Sequence, residues 1–141
     1  MNRRDALLAL VGLPLLAADD PPKQSEFMPD PNYEPKVGDR VQLFMTGKAG
    51  WELPCWCATS EYAFKEYDKA IEIDDDDGLK ELRDSGRVIR VASRTAILVL
   101  SERDEKTGAV EIRILEGPAK SRRLWTPVYH VARLIKKPRR P

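Results

Sequence analysis

The sequence predicts a mainly β domain: a small antiparallel barrel with a two-helix insertion between its first and later strands. Three observations lead there. Residues 87–135 hold short runs of Val, Ile and Leu separated by Gly, Pro and polar turns, the pattern of short paired strands. The stretch from 59 to 85 instead spaces its apolar side chains at helical intervals. Finally, 141 residues, 42% hydrophobic and 33% charged, fit one domain with terminal excess and cannot supply two sizeable cores.

The first 18 residues read as an export signal. Arg3 and Arg4 form a short positive region, Ala6 to Leu16 is an apolar run of suitable length, and Ala17-Ala18 offers small residues for cleavage. The Arg3-Arg4 pair followed by Leu7 resembles a twin-arginine signal. Such a run is too short for a permanent membrane span, and no Cys follows it to carry a lipid anchor. The expected destination is the periplasm or the exterior. Asp19 to Pro35, with five prolines and few apolar residues, reads as a disordered spacer.

The folded domain is expected over 36–136, followed by a basic tail at 137–141. Val37-Gly38-Asp39-Arg40-Val41 is a tight turn feeding the first strand. In the insertion, Thr59 or Ser60 is placed as N-cap, and Tyr62, Phe64, Tyr67, Ala70 and Ile71 form an apolar stripe. A second helix follows, with the Asp74 to Asp77 run at its N-terminus, Leu79 and Leu82 inward, and Gly86 as its stop. Strands are then expected at Arg87 to Ala92, Thr95 to Ser101 and Val110 to Glu116, around Trp125, and from Val131 to Ile135. With the first strand this makes five or six, the usual complement of a small antiparallel barrel.

Charge is balanced in total and divided along the chain. The formal net charge is +1, so no global field steers the protein toward nucleic acid or membrane. Thr59 to Gly86 carries ten acidic residues against Lys65, Lys69, Lys80 and Arg83, a net of −6, whereas Gly117 to Pro141 carries eight basic residues and no acidic one.

Few constellations point to chemistry. Aligning Gly78 with the invariant glycine of an EF-hand puts Ile73 at the first ligand and Asp84 at the twelfth, which is not a calcium loop; helix capping accounts for the acidic run. Cys55 and Cys57 flank a single residue, so a bridge between them is strained, and two thiols with the lone His130 make neither a structural zinc site nor a catalytic arrangement. Two unpaired, partly buried thiols are expected. Enzyme activity, cofactor and metal are therefore not expected, and the chain is expected to be a monomer.

Gly86-Arg87-Val88, Thr95, Gly117-Pro118, Trp125 and Pro127 resemble the pattern of exported bacterial SH3-like domains: G-R-V before an apolar strand, a Thr-initiated strand, a Gly-Pro turn and a closing Trp-x-Pro strand. The likeness spans most of 36–136. Ser121 and Leu124 stand where that pattern has glycines, and Thr126 replaces Val. The resemblance implies an SH3-like barrel serving as a non-catalytic binding module of the bacterial envelope, meeting a wall polymer, a peptide or a protein. In eukaryotic SH3 domains an aromatic Tyr stands three residues after the closing-strand proline, as part of a peptide groove. Here that place holds His130, preceded by Tyr129, and the corresponding groove would use Trp51, Trp125, Pro127 and Tyr129.

Ile112 to Thr126, IRILEGPAKSRRLWT, is also similar to the KOW elements of ribosomal and transcription proteins. That similarity implies the alternative function, RNA binding through Lys120, Arg122 and Arg123 on the turn and the cations of the tail. An exported protein seldom meets ribosomal RNA, so this reading ranks second.

Overall fold

The computed structural model describes residues 24–138. The expected export signal lies outside the described residues, as do the last three residues of the basic tail. Among the described residues the chain is mainly β with two helices. In order it forms β1 (Phe27–Pro29), β2 (Arg40–Leu43), β3 (Cys55–Ala58), α1 (Glu61–Glu72), α2 (Asp76–Asp84), β4 (Val88–Val91), β5 (Ala96–Val99), β6 (Ala109–Ile114), β7 (Arg123–Pro127), β8 (Val131–Ala132) and β9 (Leu134–Lys136), with a single 3-10 turn at Val128–His130.

Seven strands make one antiparallel sheet in the order β4-β3-β7-β6-β5-β2-β8. Four strand spacings separate β7 from β8 in that order, roughly 19 Å in a flat sheet at about 4.8 Å each. Only Val128–His130 joins the two strands, and a 3-10 turn advances about 2 Å per residue, so roughly 8 Å is available. The sheet must therefore curl. It does not close: β4 and β8 are the ends of the order, and among the described residues no pairing joins them. The expected barrel is an open, curled sheet, because β3 and β4 extend the β7 side instead of letting β7 meet β8.

Period-two burial explains the strands. Val41 and Leu43 of β2, Ile97 and Val99 of β5, and Val110, Ile112 and Ile114 of β6 point into the curl, where they meet Leu124, Val131, Cys55, Cys57 and Val91. The registers Val99↔Ile112 and Ile112↔Leu124 stack these side chains across β5, β6 and β7. The helices cover the outer side. Phe64 and Ala63 of α1 and Leu82 of α2 pack with Ala58, Val88 and Ala109, and with the half-buried Trp56, Tyr67 and Trp125.

Capping sets the helix boundaries. The Ser60 hydroxyl accepts from the Ala63 amide at 3.0 Å, and the Asp75 carboxylate from the Gly78 amide at 3.0 Å, each satisfying an otherwise unpaired N–H. At the end of α2, Gly86 adopts φ +77° while Arg87 N–H donates to Leu82 C=O, the six-to-one bond of a Schellman stop. The expected α1 stripe is corrected in part: Phe64 and Ala70 are buried and Tyr67 half-buried, but Tyr62 and Ile71 face solvent, since the surface offered to α1 is only as wide as the short strands beneath it.

Two further expectations are corrected. The insertion follows β3 rather than the first strand, because the CWCA run read as thiols is itself a strand, paired with β4 along its whole length. The spacer expected over 19–35 is part of the fold from Gln24 onward. Gln24 bridges Trp51, Ser25 is buried with its hydroxyl donating to Glu52, and β1 pairs with β9. The prolines do not prevent this. Asp30 N–H donates to Arg133 C=O and Lys137 N–H to Glu26 C=O, so alternation along an antiparallel pair leaves Pro29 at a non-hydrogen-bonded position where its missing N–H is not needed.

Candidate functional site

A groove of about 870 Å³ lies where the chain entering β2 faces the 3-10 turn and the β5–β6 loop. Its apolar surface comes from Pro29, Tyr33, Pro35, Val37, Val128, Tyr129, Val131 and Ala132, and its charges from Asp30, Glu34, Lys36, Glu102, Arg103 and Glu105. Each wall has a reason to stand where it does. Tyr33 is fixed by donating its hydroxyl to Asp39 Oδ2 at 2.6 Å, and by the Arg133 guanidinium 4.6 Å over its ring. Burial and the carboxylate partner hold the Tyr33 phenol above its ordinary range, and the same bond holds Asp39 below the usual carboxylate range. Val128 N–H donates to Gly108 C=O, tying the 3-10 turn to the β5–β6 loop; Gly108 at φ +74° supplies the left-handed bend the loop needs.

Tyr129 stands at the mouth, 75% exposed, its ring edge-on to His130 with centroids 4.7 Å apart. Partial burial, then the nearby Asp68 of α1, raises its phenol, so the first helix lends negative charge to this rim. Val37 is 57% exposed at the opposite wall. The lining contains no Ser, Thr, Cys or His. It presents aromatic and proline surface with four carboxylates against two cations.

The sequence-predicted residues are not gathered in one place. Tyr129 lines this groove; Trp51, Trp125 and Pro127 do not. Trp51, 42% exposed, borders a separate hollow of about 520 Å³ with Gln24, Glu52 and Arg94. Trp125 is half-buried against the helix-side cluster, and Pro127 ends β7 opposite Ala109. Lys120 and Arg122 are exposed on the β6–β7 turn, but Arg123 is committed to Glu111, its Nε 2.6 Å from Oε2. Tyr33, Val37, Glu102 and Glu105 were missed. Tyr33 sat in a segment read as spacer, and loop carboxylates carry no spacing signal of their own.

Elsewhere, Arg83 lies 4.5 Å over Trp56 and donates to the Tyr67 hydroxyl at 3.1 Å, a cation–π contact that clamps α2 to α1 and β3. Cys55 and Cys57 are fully buried rather than partly so, and unpaired; burial pushes each thiol up to about 12. Among the described residues no group of three or more His, Cys, Asp or Glu is arranged to hold a metal, and no helix is long and apolar enough to cross a membrane.

His130 gives a pH signature. Its Nδ1 is buried without a hydrogen-bond partner, and desolvation lowers its pKa. Above the ordinary value of 6.5 folded and unfolded chains are both neutral here and the stability is full. As pH falls below it, the unfolded chain takes up a proton that the fold refuses, so stability drops until the folded pKa is passed. The melting temperature is expected to decline as pH falls below about 6.5, and His130→Gln to flatten that decline; equal slopes in both proteins would reject the assignment.

Comparison with protein families, curated proteins and solved structures finds no match to this chain.

Proposed function

We propose that this chain is a non-catalytic binding module with an SH3-like core, and that the groove between Tyr33 and Tyr129 takes an extended peptide segment. The observation that carries this reading is Tyr129: a large aromatic three-quarters exposed at the mouth of a groove of about 870 Å³, on a turn pinned to the neighbouring loop. Exposed, rigidly held aromatics beside a concave apolar wall are the usual anchors of binding surfaces. The SH3-like assignment draws support from the succession β2-β5-β6-β7, with β8 returning to β2 after one 3-10 turn. The envelope as its place rests on the sequence of residues 1–18, and mass analysis of the protein expressed in a bacterium checks it. Loss of about 18 residues and recovery outside the cytoplasm is the expected result.

Binding is tested by titrating isotopically labelled protein with oligolysine, and with oligoglutamate as control. Amide shifts are expected at Tyr33, Val37, Val128 and Tyr129 with the first and not the second, and Tyr129→Ala should weaken binding about tenfold, the loss of one aromatic anchor. The RNA reading has less support, since Arg123 is engaged by Glu111. Shifts confined to Lys120 and Arg122 on adding an RNA oligonucleotide at low salt would put it first.

A further inference from the structure

The groove and the C-terminal segment of this chain are matched in charge. Asp30, Glu34, Glu102 and Glu105 line the groove against Lys36 and Arg103, and among the described residues none of the four carboxylates forms an ion pair. Asp68 adds its charge from α1 to the Tyr129 rim. The complement lies in the same sequence: residues 136–141 read KKPRRP, four cations and two prolines with no acidic residue. Proline fixes φ, so a segment holding two of them has less conformational freedom to lose on seating.

Direction decides which groove it reaches. Val131 and Ala132 line the groove, and Leu134 opposes Pro29 at its edge, but β9 then runs antiparallel to β1, with Lys136 opposite Phe27 and Lys137 bonded to Glu26. Three residues of strand carry the chain roughly 10 Å away from the hollow it has just passed. The chain thus leads away from this groove through Lys137.

Resting on the groove as binding site, we propose that its occupant is the Lys136–Pro141 segment of a second copy of this chain. The contact is head-to-tail, joining two different surfaces, and propagates from copy to copy unless the rotation happens to close. Its attraction is between exposed charges, so it is strong at low ionic strength and screened as the Debye length shrinks below about 10 Å. The chain expected to be a monomer associates when salt is low.

Sedimentation velocity of the full chain at rising protein concentration tests this at low salt and at about 0.5 M salt. Association to at least twice the one-chain mass of 16.0 kDa is expected at low salt and a single chain at high salt. Two variants are needed: groove-reversed, Glu102→Lys with Glu105→Lys, and tail-reversed, Lys137→Glu with Arg139→Glu and Arg140→Glu. Near-UV circular dichroism checks that both keep the fold. Each alone should stay a single chain. Mixed, the intact tail of the first fits the intact groove of the second, and the reversed tail of the second fits the reversed groove of the first, so the mixture should associate where neither variant does alone. A mixture that stays monomeric, or a groove-reversed protein that associates as before, overturns the proposal. A labelled KKPRRP peptide separates it from the reading beneath it: oligolysine shifting the groove while the peptide does not rejects the second copy alone, and silence from both rejects the groove.

Discussion

Ile112→Ala is expected to lower stability by about 3–4 kcal/mol, within the range for emptying a fully buried Ile site. Ile112 is 0% exposed in β6, with Val99 opposite on β5 and Leu124 opposite on β7. These two neighbours belong to different strands of one curled sheet, so neither can move inward to fill the space without disturbing its own pairing. Small domains hold only about 5–15 kcal/mol in total, so the loss consumes a large share. Ile112→Val, which removes one methyl, should cost about 1 kcal/mol. Ile71→Ala, at an exposed site of α1, should change stability by less than about 0.5 kcal/mol. Urea unfolding followed by tryptophan fluorescence ranks the three; an Ile112→Ala midpoint within error of Ile71→Ala would mean that the core does not lie where the curl puts it.

Much of this core was legible in sequence because its strands use residues whose periodicity has one meaning. From Gly86 onward, runs of Val, Ile and Leu are bounded by glycines with positive φ at 86, 108 and 117, and composition and punctuation agree. Ser60, Asp75 and Gly86 announced the helices for the same reason: each has a side chain, or lacks one, in the way a helix end requires. The CWCA strand was hidden by its chemistry. Cys55 and Cys57 alternate with Trp56 as any half-buried strand does, but cysteines invite a question about bonds before one about burial. Residues 24–35 were hidden by composition, since proline density predicts a spacer unless each proline falls where no N–H is wanted, and pairing register is a property of two segments that neither one displays. The groove was least legible. Tyr33, Val37, Glu102 and Tyr129 meet only because the sheet curls, and the curl follows from a strand order that local pattern does not contain.

The cysteines provide the second large effect. In native protein they are expected to react with a thiol reagent at least about a thousand-fold more slowly than in urea, because modification must pass through opening and native stability sets that equilibrium. Both side chains are 0% exposed and their thiols are held up to about 12, so at neutral pH neither reagent access nor thiolate is available in the closed state. Oxidation faces a further barrier of geometry. Residues i and i+2 of a strand point the same way about 6.6 Å apart, whereas a disulfide brings its Cβ atoms to about 3.8 Å. Joining them would require β3 to give up its extended form, and with it the ladder to β4 and the bridge from Ala58 to Trp125. An oxidising compartment, the destination proposed for this chain, should therefore leave both thiols reduced in the folded protein, and mass analysis after alkylation in urea should find two modified cysteines. The two predictions are coupled: if labelling follows the opening equilibrium, Ile112→Ala should accelerate it by about 10²–10³, the factor corresponding to 3–4 kcal/mol at about 1.4 kcal/mol per tenfold. Rapid labelling of the folded wild-type chain, or an acceleration confined to a few-fold, would place β3 outside the cooperative core.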